Sequence, residues 1–221
     1  MGQRGTDSIG DPEIDAARSA RRLSLRRTDS SLRDELNTNT ELSVILPVYN
    51  EADSLRELIP ELTAVLQRLG GPYEIVAVDD GSVDDSVTAL RELQRDEPNL
   101  FIVEFRRNFG QTAAFVAGFD HARGDIIVTM DADGQNDPAD IPRLLEVMDE
   151  GGYDLVNGWR QERREPLLTR RVPSMVANWL IANASDVQLH DRGCSLKAIR
   201  RDLVKQMNLY GELHRFIPEM A

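Results

Sequence analysis

Four short apolar runs, Leu42–Leu46, Glu74–Val78, Leu100–Phe105 and Asp125–Met130, alternate with stretches of helical periodicity, and no other feature restricts the fold as much. Continuous apolar runs of this length suit strands buried on both faces, the condition of a parallel sheet. Between the first two runs, Leu55, Leu58, Ile59, Leu62, Val65, Leu66 and Leu69 share one helical face, closed by Gly70 and Gly71. Pro60 interrupts that stretch, so a kink or a helix start is expected there. Further helices are expected from about Asp84 to Arg95, from Gln111 to Ala122 ahead of Gly124, and from Ile141 to Glu150 ahead of Gly151 and Gly152. Strand-helix alternation of this kind gives an α/β fold with a doubly wound, mostly parallel sheet and right-handed crossovers.

In such sheets ligands bind outside the carboxyl ends of the strands. The first run ends in Pro47-Val48-Tyr49-Asn50-Glu51, the second in Asp79-Asp80-Gly81-Ser82 and the fourth in Asp131-Ala132-Asp133-Gly134-Gln135. Turn chemistry alone accounts for one Asp-Gly-Ser, but acidic groups at three strand ends concentrate charge on one rim. Residues two apart on an extended segment point to the same side, so Asp131 and Asp133 can present both carboxylates to one ion, with Gln135 adding a carbonyl oxygen. Such oxygen donors suit Mg²⁺ or Mn²⁺, hard cations that share their shell with substrate phosphates. A lone Asp-x-Asp is a weak signal, and its place directly after Ile126–Met130 is what strengthens it.

Taken in order, these motifs resemble the family-2 glycosyltransferases with the Rossmann-like A-type nucleotide-sugar fold, over about Leu42 to Ala221. The resemblance implies that Pro47, Tyr49, Glu51, Val78, Asp79, Asp80 and Ala132 line the nucleotide pocket, and that Asp131, Asp133 and Gln135 hold metal and diphosphate. Arg106-Arg107-Asn108-Phe109-Gly110-Gln111 with Ala113, Ala114 and Gly118, then Gly158-Trp159-Arg160, Arg170-Arg171, Ser174 and Asn178, is similar to the branch that glycosylates polyprenyl phosphates. The dolichyl-phosphate mannose synthases and bacterial polyprenyl-phosphate glycosyltransferases belong to that branch. Asp191–Lys197 and Tyr210–Phe216 look like it too.

Membership of that branch implies inverting, metal-dependent transfer of a hexose from GDP-mannose or a UDP-hexose to a polyprenyl phosphate at the membrane surface. Arg160 and Arg170 are then expected to hold the acceptor phosphate, and Asp191 to orient the acceptor. Gly134 departs from the larger apolar residue usual in the mannose synthases. Members usually continue beyond the point matching Ala221 with a strand, a basic loop and often membrane helices, so the resemblance implies a missing downstream segment and anchorage through it. Two alternatives stay open: a soluble or polysaccharide hydroxyl acceptor, which needs Asp191 or Glu212 as base, and a non-catalytic nucleotide-sugar-binding fragment.

Composition removes other classes. A formal charge of -12 and a pI near 4.7 leave no broad basic footprint for nucleic acid. Cys194 is the only cysteine, so no intrachain disulfide forms and a reduced cytoplasm fits. The sequence has no signal-peptide run and no stretch of roughly 18 continuous apolar residues, so a cytoplasmic chain, peripheral at the inner membrane face, is expected. No Gly-x-Gly-x-x-Gly follows the first strand and no Gly-Lys-Ser/Thr element occurs, which disfavours a dehydrogenase and a phosphate-loop kinase. His121, His190 and His214 lack zinc-ligand spacing. Residues 1 to about 40, rich in Arg, Asp, Ser and Thr, read as a disordered polar tail ahead of one catalytic domain, 41–221.

Overall fold

A computed structural model of the chain describes residues 40–158 and 194–206. The expected tail, Arg160, Arg170, Asp191 and Glu212 lie outside the described residues.

Strand β1 (Leu42–Val48) leads through helix α1 (Ala52–Leu69) to β2 (Tyr73–Asp79), and α2 (Ser86–Asp96) leads to β3 (Leu100–Glu104). Helix α3 (Gln111–His121) leads to β4 (Ile126–Thr129), which is followed by a single 3₁₀ turn (Pro138–Asp140) and α4 (Ile141–Gly151). Beyond these come β5 (Leu155–Asn157), β6 (Lys197–Arg200) and α5 (Arg201–Gln206). The strands form one sheet in the order β3-β2-β1-β4-β6-β5. The pairs β1–β2, β1–β4 and β2–β3 are parallel, whereas β6 runs antiparallel to both β4 and β5. The doubly wound, mostly parallel α/β sheet is therefore as expected, with an antiparallel margin that apolar patterning did not reveal.

Residue parity along the strands builds two core layers. Val44, Leu46, Ile75 and Ala77 pack with Leu55, Leu58, Ile59, Leu62 and Leu66 of α1, Leu90 of α2 and Ile141, Leu144 and Met148 of α4. On the other face, Ile45, Ile127 and Ile199 meet Phe115 of α3, and Val76, Val78 and Val103 meet its Ala114. Helix α3 comes very close to β1: a Cβ added to Gly118 would lie 2.3 Å from Ile45 Cγ2.

Of the two outcomes expected at Pro60, the helix start is corrected by the structure, because α1 begins at Ala52 and runs through the proline. Pro60 is exposed, so the carbonyl it frees faces water. Interior proline costs about 3 kcal/mol, while each of the buried leucines and isoleucines of α1 contributes about 1.5–3 kcal/mol. The apolar face wins. The start of α1 is held from elsewhere in the chain, since the Glu51 N–H donates to Ser86 Oγ at 2.8 Å and the Ala52 N–H to Asp84 Oδ2 at 3.3 Å. These contacts satisfy backbone donors that a helix start leaves open.

Candidate active site

Strand order reverses between β1 and β4, since β2 and β3 continue on one side of β1 while β4 lies on the other. A crevice at the carboxyl ends of adjacent strands arises at such a reversal. The loops after β1 and β2 are bonded to each other there, and the loop after β4 is held by Gln111 and Ser195.

After β1, Asn50 takes φ 59°, a left-handed conformation that asparagine tolerates. Its N–H donates to Ser82 Oγ and its Oδ1 accepts from the Val83 N–H, each at 2.9 Å, which ties this loop to the one after β2. Tyr49 is 46% exposed beside it, with its ring presented to solvent. Pro47 is buried. Burial first, and then the charges of Asp133, Asp84 and Asp131, raise the Glu51 carboxyl above the ordinary range, against a hydrogen bond from Ser54. Glu51 therefore lies within electrostatic reach of both members of the Asp-x-Asp pair.

After β2, Asp79 and Asp80 are 2% and 3% exposed. Asp80 accepts the Phe109 N–H at 2.7 Å and the Gly110 N–H at 2.9 Å, one on each oxygen. Asp79 accepts the Gly81 and Ser82 N–H groups on Oδ2, each at 3.1 Å, while its buried Oδ1 has no hydrogen-bond partner among the described residues. Burial raises the carboxyls of both above the ordinary range, opposed in each case by these hydrogen bonds. The loops approach backbone to backbone: a Cβ at Gly81, where φ is 71°, would lie 2.3 Å from the Arg107 carbonyl carbon.

After β4 the extended alternation expected through Gln135 is replaced by a bend at residues 132–134, with Gly134 at φ 74°. The bend puts Ala132 into the core between Asp131 and Asp133. The Gln135 main-chain N–H turns back to Asp133 Oδ1 at 3.0 Å and braces that carboxylate. Asp131 Oδ1 accepts from Gln111 Nε2 at 2.7 Å. Ser195, just before β6, clamps the same loop: its Oγ accepts the Asp131 N–H at 3.3 Å and Asn136 Nδ2 at 2.8 Å, and its carbonyl accepts Thr129 Oγ1 at 2.6 Å. Cys194 is a buried small residue beside Asn136, as its size and type suggest.

The structure thus brings together Glu51, Asp79, Asp80, Asp131, Asp133 and Gln135 at one edge. Val78 and Ala132 are at the same edge with their side chains in the core, so what they can offer a ligand is main chain. Sequence reasoning missed Gln111, Asn136 and Ser195 as parts of the site. The runs holding Gln111 and Ser195 carried only a family likeness, and Asn136 no signal beyond its place after the Asp-x-Asp. Among the described residues no group of three or more His, Cys, Asp or Glu is arranged to hold a metal ion. Two carboxylates on one bend do fit a Mg²⁺-type ion, which is bound through one or two carboxylates and completes its shell with phosphate and water.

Comparison with known proteins bears on the family and the fold. A family profile described as Glycosyl transferase family 2 matches residues 43–207, so the chain belongs to that family. It is 46% identical over 179 residues to a dodecaprenyl-phosphate galacturonate synthase of Rhizobium johnstonii, covering 80% of this chain and 53% of that one. It is 44% identical over 181 residues to an undecaprenyl-phosphate 4-deoxy-4-formamido-L-arabinose transferase of Edwardsiella ictaluri, covering 81% and 55%. The chain therefore spans about half the length of the curated relatives it matches. A mannosyltransferase of Pyrobaculum calidifontis, solved with GDP-Man and Mn²⁺, shares the fold at a TM-score of 0.56 and 20% identity, over 90% of this chain and 55% of that one. No helix among the described residues is long and apolar enough to cross a membrane.

Proposed function

We propose that this chain forms the donor-binding and catalytic part of a glycosyltransferase that moves a hexose-type sugar from a nucleotide sugar to a polyprenyl phosphate at the inner face of the membrane. The observation that carries the reading is the 44–46% identity to polyprenyl-phosphate sugar transferases over a stretch that includes the acidic edge. The names of those relatives specify a uronate and a pentose derivative, so the hexose and its UDP or GDP carrier rest on the motif resemblance, and the donor is sought among UDP-sugars, pentose derivatives included, and GDP-mannose.

In this reading Tyr49, Pro47 and the loop carrying Asp79 and Asp80 receive the nucleoside. Asp131 and Asp133 would hold Mg²⁺ or Mn²⁺, with Gln135 keeping Asp133 oriented. A bound divalent cation offsets the negative charge that develops on the leaving diphosphate. The chain's own part is to fix that arrangement before reaction, so that little reorganisation is needed as the sugar–phosphate bond breaks. A lipid phosphate presents a nucleophilic oxygen that is already largely anionic, so orientation by cations takes the place of a strong base. Arg160 and Arg170 are proposed for that role, since a guanidinium matches two phosphate oxygens at once, and Asp191 is proposed to orient the acceptor.

The test offers a short-chain polyprenyl phosphate and a free sugar hydroxyl side by side, with UDP-hexoses, UDP-galacturonate and GDP-mannose, with Mn²⁺ and with chelator. Transfer to the lipid phosphate that stops on chelation is expected. Transfer only to the hydroxyl would overturn the acceptor assignment and leave the family membership untouched.

A further inference from the structure

We propose that Gln111 is a positioning residue for the metal-binding edge: its side-chain amide sets the orientation of the Asp131 carboxylate from across the sheet. The inference rests on reading Asp131 and Asp133 as the site of the divalent ion.

A small divalent cation requires its oxygen donors in near-ideal directions. Asp131 lies beyond the end of β4 and next to the bend at 132–134, where the strand ladder no longer fixes a side chain. Asp133 is braced locally by the Gln135 N–H. For Asp131, the main chain is held by Ser195 Oγ and the side chain by Gln111 Nε2, the latter at 2.7 Å on Oδ1. A hydrogen bond to an ionised carboxylate is stronger and more directional than a neutral one.

Gln111 is itself anchored. It is the first residue of α3, and Gly110 before it takes φ 93° and ψ 156°, a conformation open to glycine and few others. The N–H groups of Phe109 and Gly110 both close on Asp80 at the end of β2. Phe109 also packs edge-on against Phe105, with ring centroids 5.5 Å apart. Three consecutive residues therefore span from β2 to β4 over β1, with main chain fixed at one end and an amide delivered at the other. A glutamine whose only task were to start a helix would not need to reach across a strand.

Partners that orient a metal ligand typically change metal affinity about 10- to 100-fold when removed. The test is a Mn²⁺ titration followed by the electron paramagnetic resonance of free Mn²⁺, with saturating UDP and, separately, saturating GDP. Gln111→Met, which keeps length and removes the amide, is expected to weaken Mn²⁺ binding about 10- to 100-fold. Metal-free nucleotide affinity and melting temperature should stay close to those of the unaltered chain, which a merely structural role would not allow. Wild-type Mn²⁺ affinity in Gln111→Met, with loss in Asp133→Ala, overturns the role of Gln111 and leaves the metal site standing. Unchanged affinity in Asp133→Ala removes the metal site, and this proposal with it. Should Gln111→Met not fold, the unaltered ¹⁵N-labelled chain decides: substoichiometric Mn²⁺ with nucleotide must broaden the Gln111 side-chain amide, and a persisting sharp signal overturns the proposal.

Discussion

Strand β2 carries a buried acid near each end, and the two differ in what is left of the carboxylate once two donors have bonded to one of its oxygens. Glu74, 2% exposed, accepts Ser43 Oγ at 2.7 Å and the Arg123 N–H at 2.6 Å, and Ser43 Oγ in turn accepts the Gly124 N–H at 2.8 Å. At the amino edge the buried charge thereby secures the turn from α3 into β4. At the carboxyl edge Asp79 is equally buried and, like Glu74, accepts its bonds on one oxygen, but its other oxygen, Oδ1, is buried without a partner among the described residues. A buried acceptor without a donor costs free energy, and folds keep such costs where function requires them. On the function proposed above, the same strand has a structural end and a receptive one, and changes at the two ends should part stability from binding.

The largest effect is expected at the structural end. Glu74→Ala strands the buried Ser43 hydroxyl and leaves the part-buried Arg123 N–H only its 3.2 Å bond to Ser43 Oγ; an unsatisfied buried donor costs roughly 1–3 kcal/mol, so a loss of up to about 3 kcal/mol is expected in urea unfolding. Nucleotide affinity of the fraction that stays folded should not change. A shifted affinity in that fraction would break the comparison.

Asp133→Ala should do the reverse. Loss of one of two carboxylates on the ion is expected to weaken Mn²⁺-dependent binding of a nucleoside diphosphate by at least about 100-fold, more than loss of an outer partner does. Its stability should change little, since Asp133 is exposed and its recorded bond is to the Gln135 N–H. Calorimetry with and without Mn²⁺ measures the first, and thermal melting the second. A fall in melting temperature comparable with that of Glu74→Ala would show that both edges are structural.

The proposed acceptor residues give a further test of the same reading. Arg160→Ala should raise the KM for polyprenyl phosphate by the cost of one charge-assisted hydrogen bond, roughly 1.5–3 kcal/mol, with Arg160→Lys recovering part because it keeps charge and loses the planar fork. Donor affinity should hardly move. If instead Asp191→Asn or Glu212→Gln abolishes turnover while the arginine changes leave KM untouched, the acceptor is a hydroxyl.

The contrast also explains what was legible beforehand. Parallel core strands announce themselves because both faces are apolar, so β1 to β4 were visible within one or two residues, as were Asp79, Asp80, Asp131 and Asp133 at their ends. Lys197-Ala198-Ile199-Arg200 carries charge at both ends and is too short for a pattern, so β6 and its reversed direction could not be read. The bracing groups were hidden for another reason. Gln111 and Asp131 are 20 residues apart and Ser195 is 64 from Asp131, and neither pairing leaves a local spacing signal. A helix start at Pro60 is one of two readings that local propensity allows, and burial of one apolar face, which only tertiary packing supplies, carries the helix through it from Ala52.

The smallest effect is also the sharpest, because it should carry a sign opposite to that of most core substitutions. Burial above all, with the charge of Glu104 adding to it, raises the Asp79 carboxyl above its ordinary value of 3.8, against hydrogen bonds from Ser82 and Gly81. A carboxyl that binds its proton more tightly when folded stabilises the fold fully below its unfolded value, and that contribution is lost as pH rises through the raised folded value. At pH 7.5 an ionised Asp79 therefore weighs against the fold. Asp79→Asn keeps an oxygen to accept the Gly81 and Ser82 N–H groups and removes the charge. The variant should melt higher than the parent at pH 7.5, by about 2–4 °C for each kcal/mol recovered, and the difference should shrink as pH falls towards 4. Nucleotide affinity should fall in the same variant, because an amide donor replaces the acceptor offered at Oδ1. Melting curves from pH 4 to 8 with matched calorimetry decide it: a lower melting point at pH 7.5, or a difference independent of pH, would mean that Asp79 is satisfied as Glu74 is and that β2 has two structural ends.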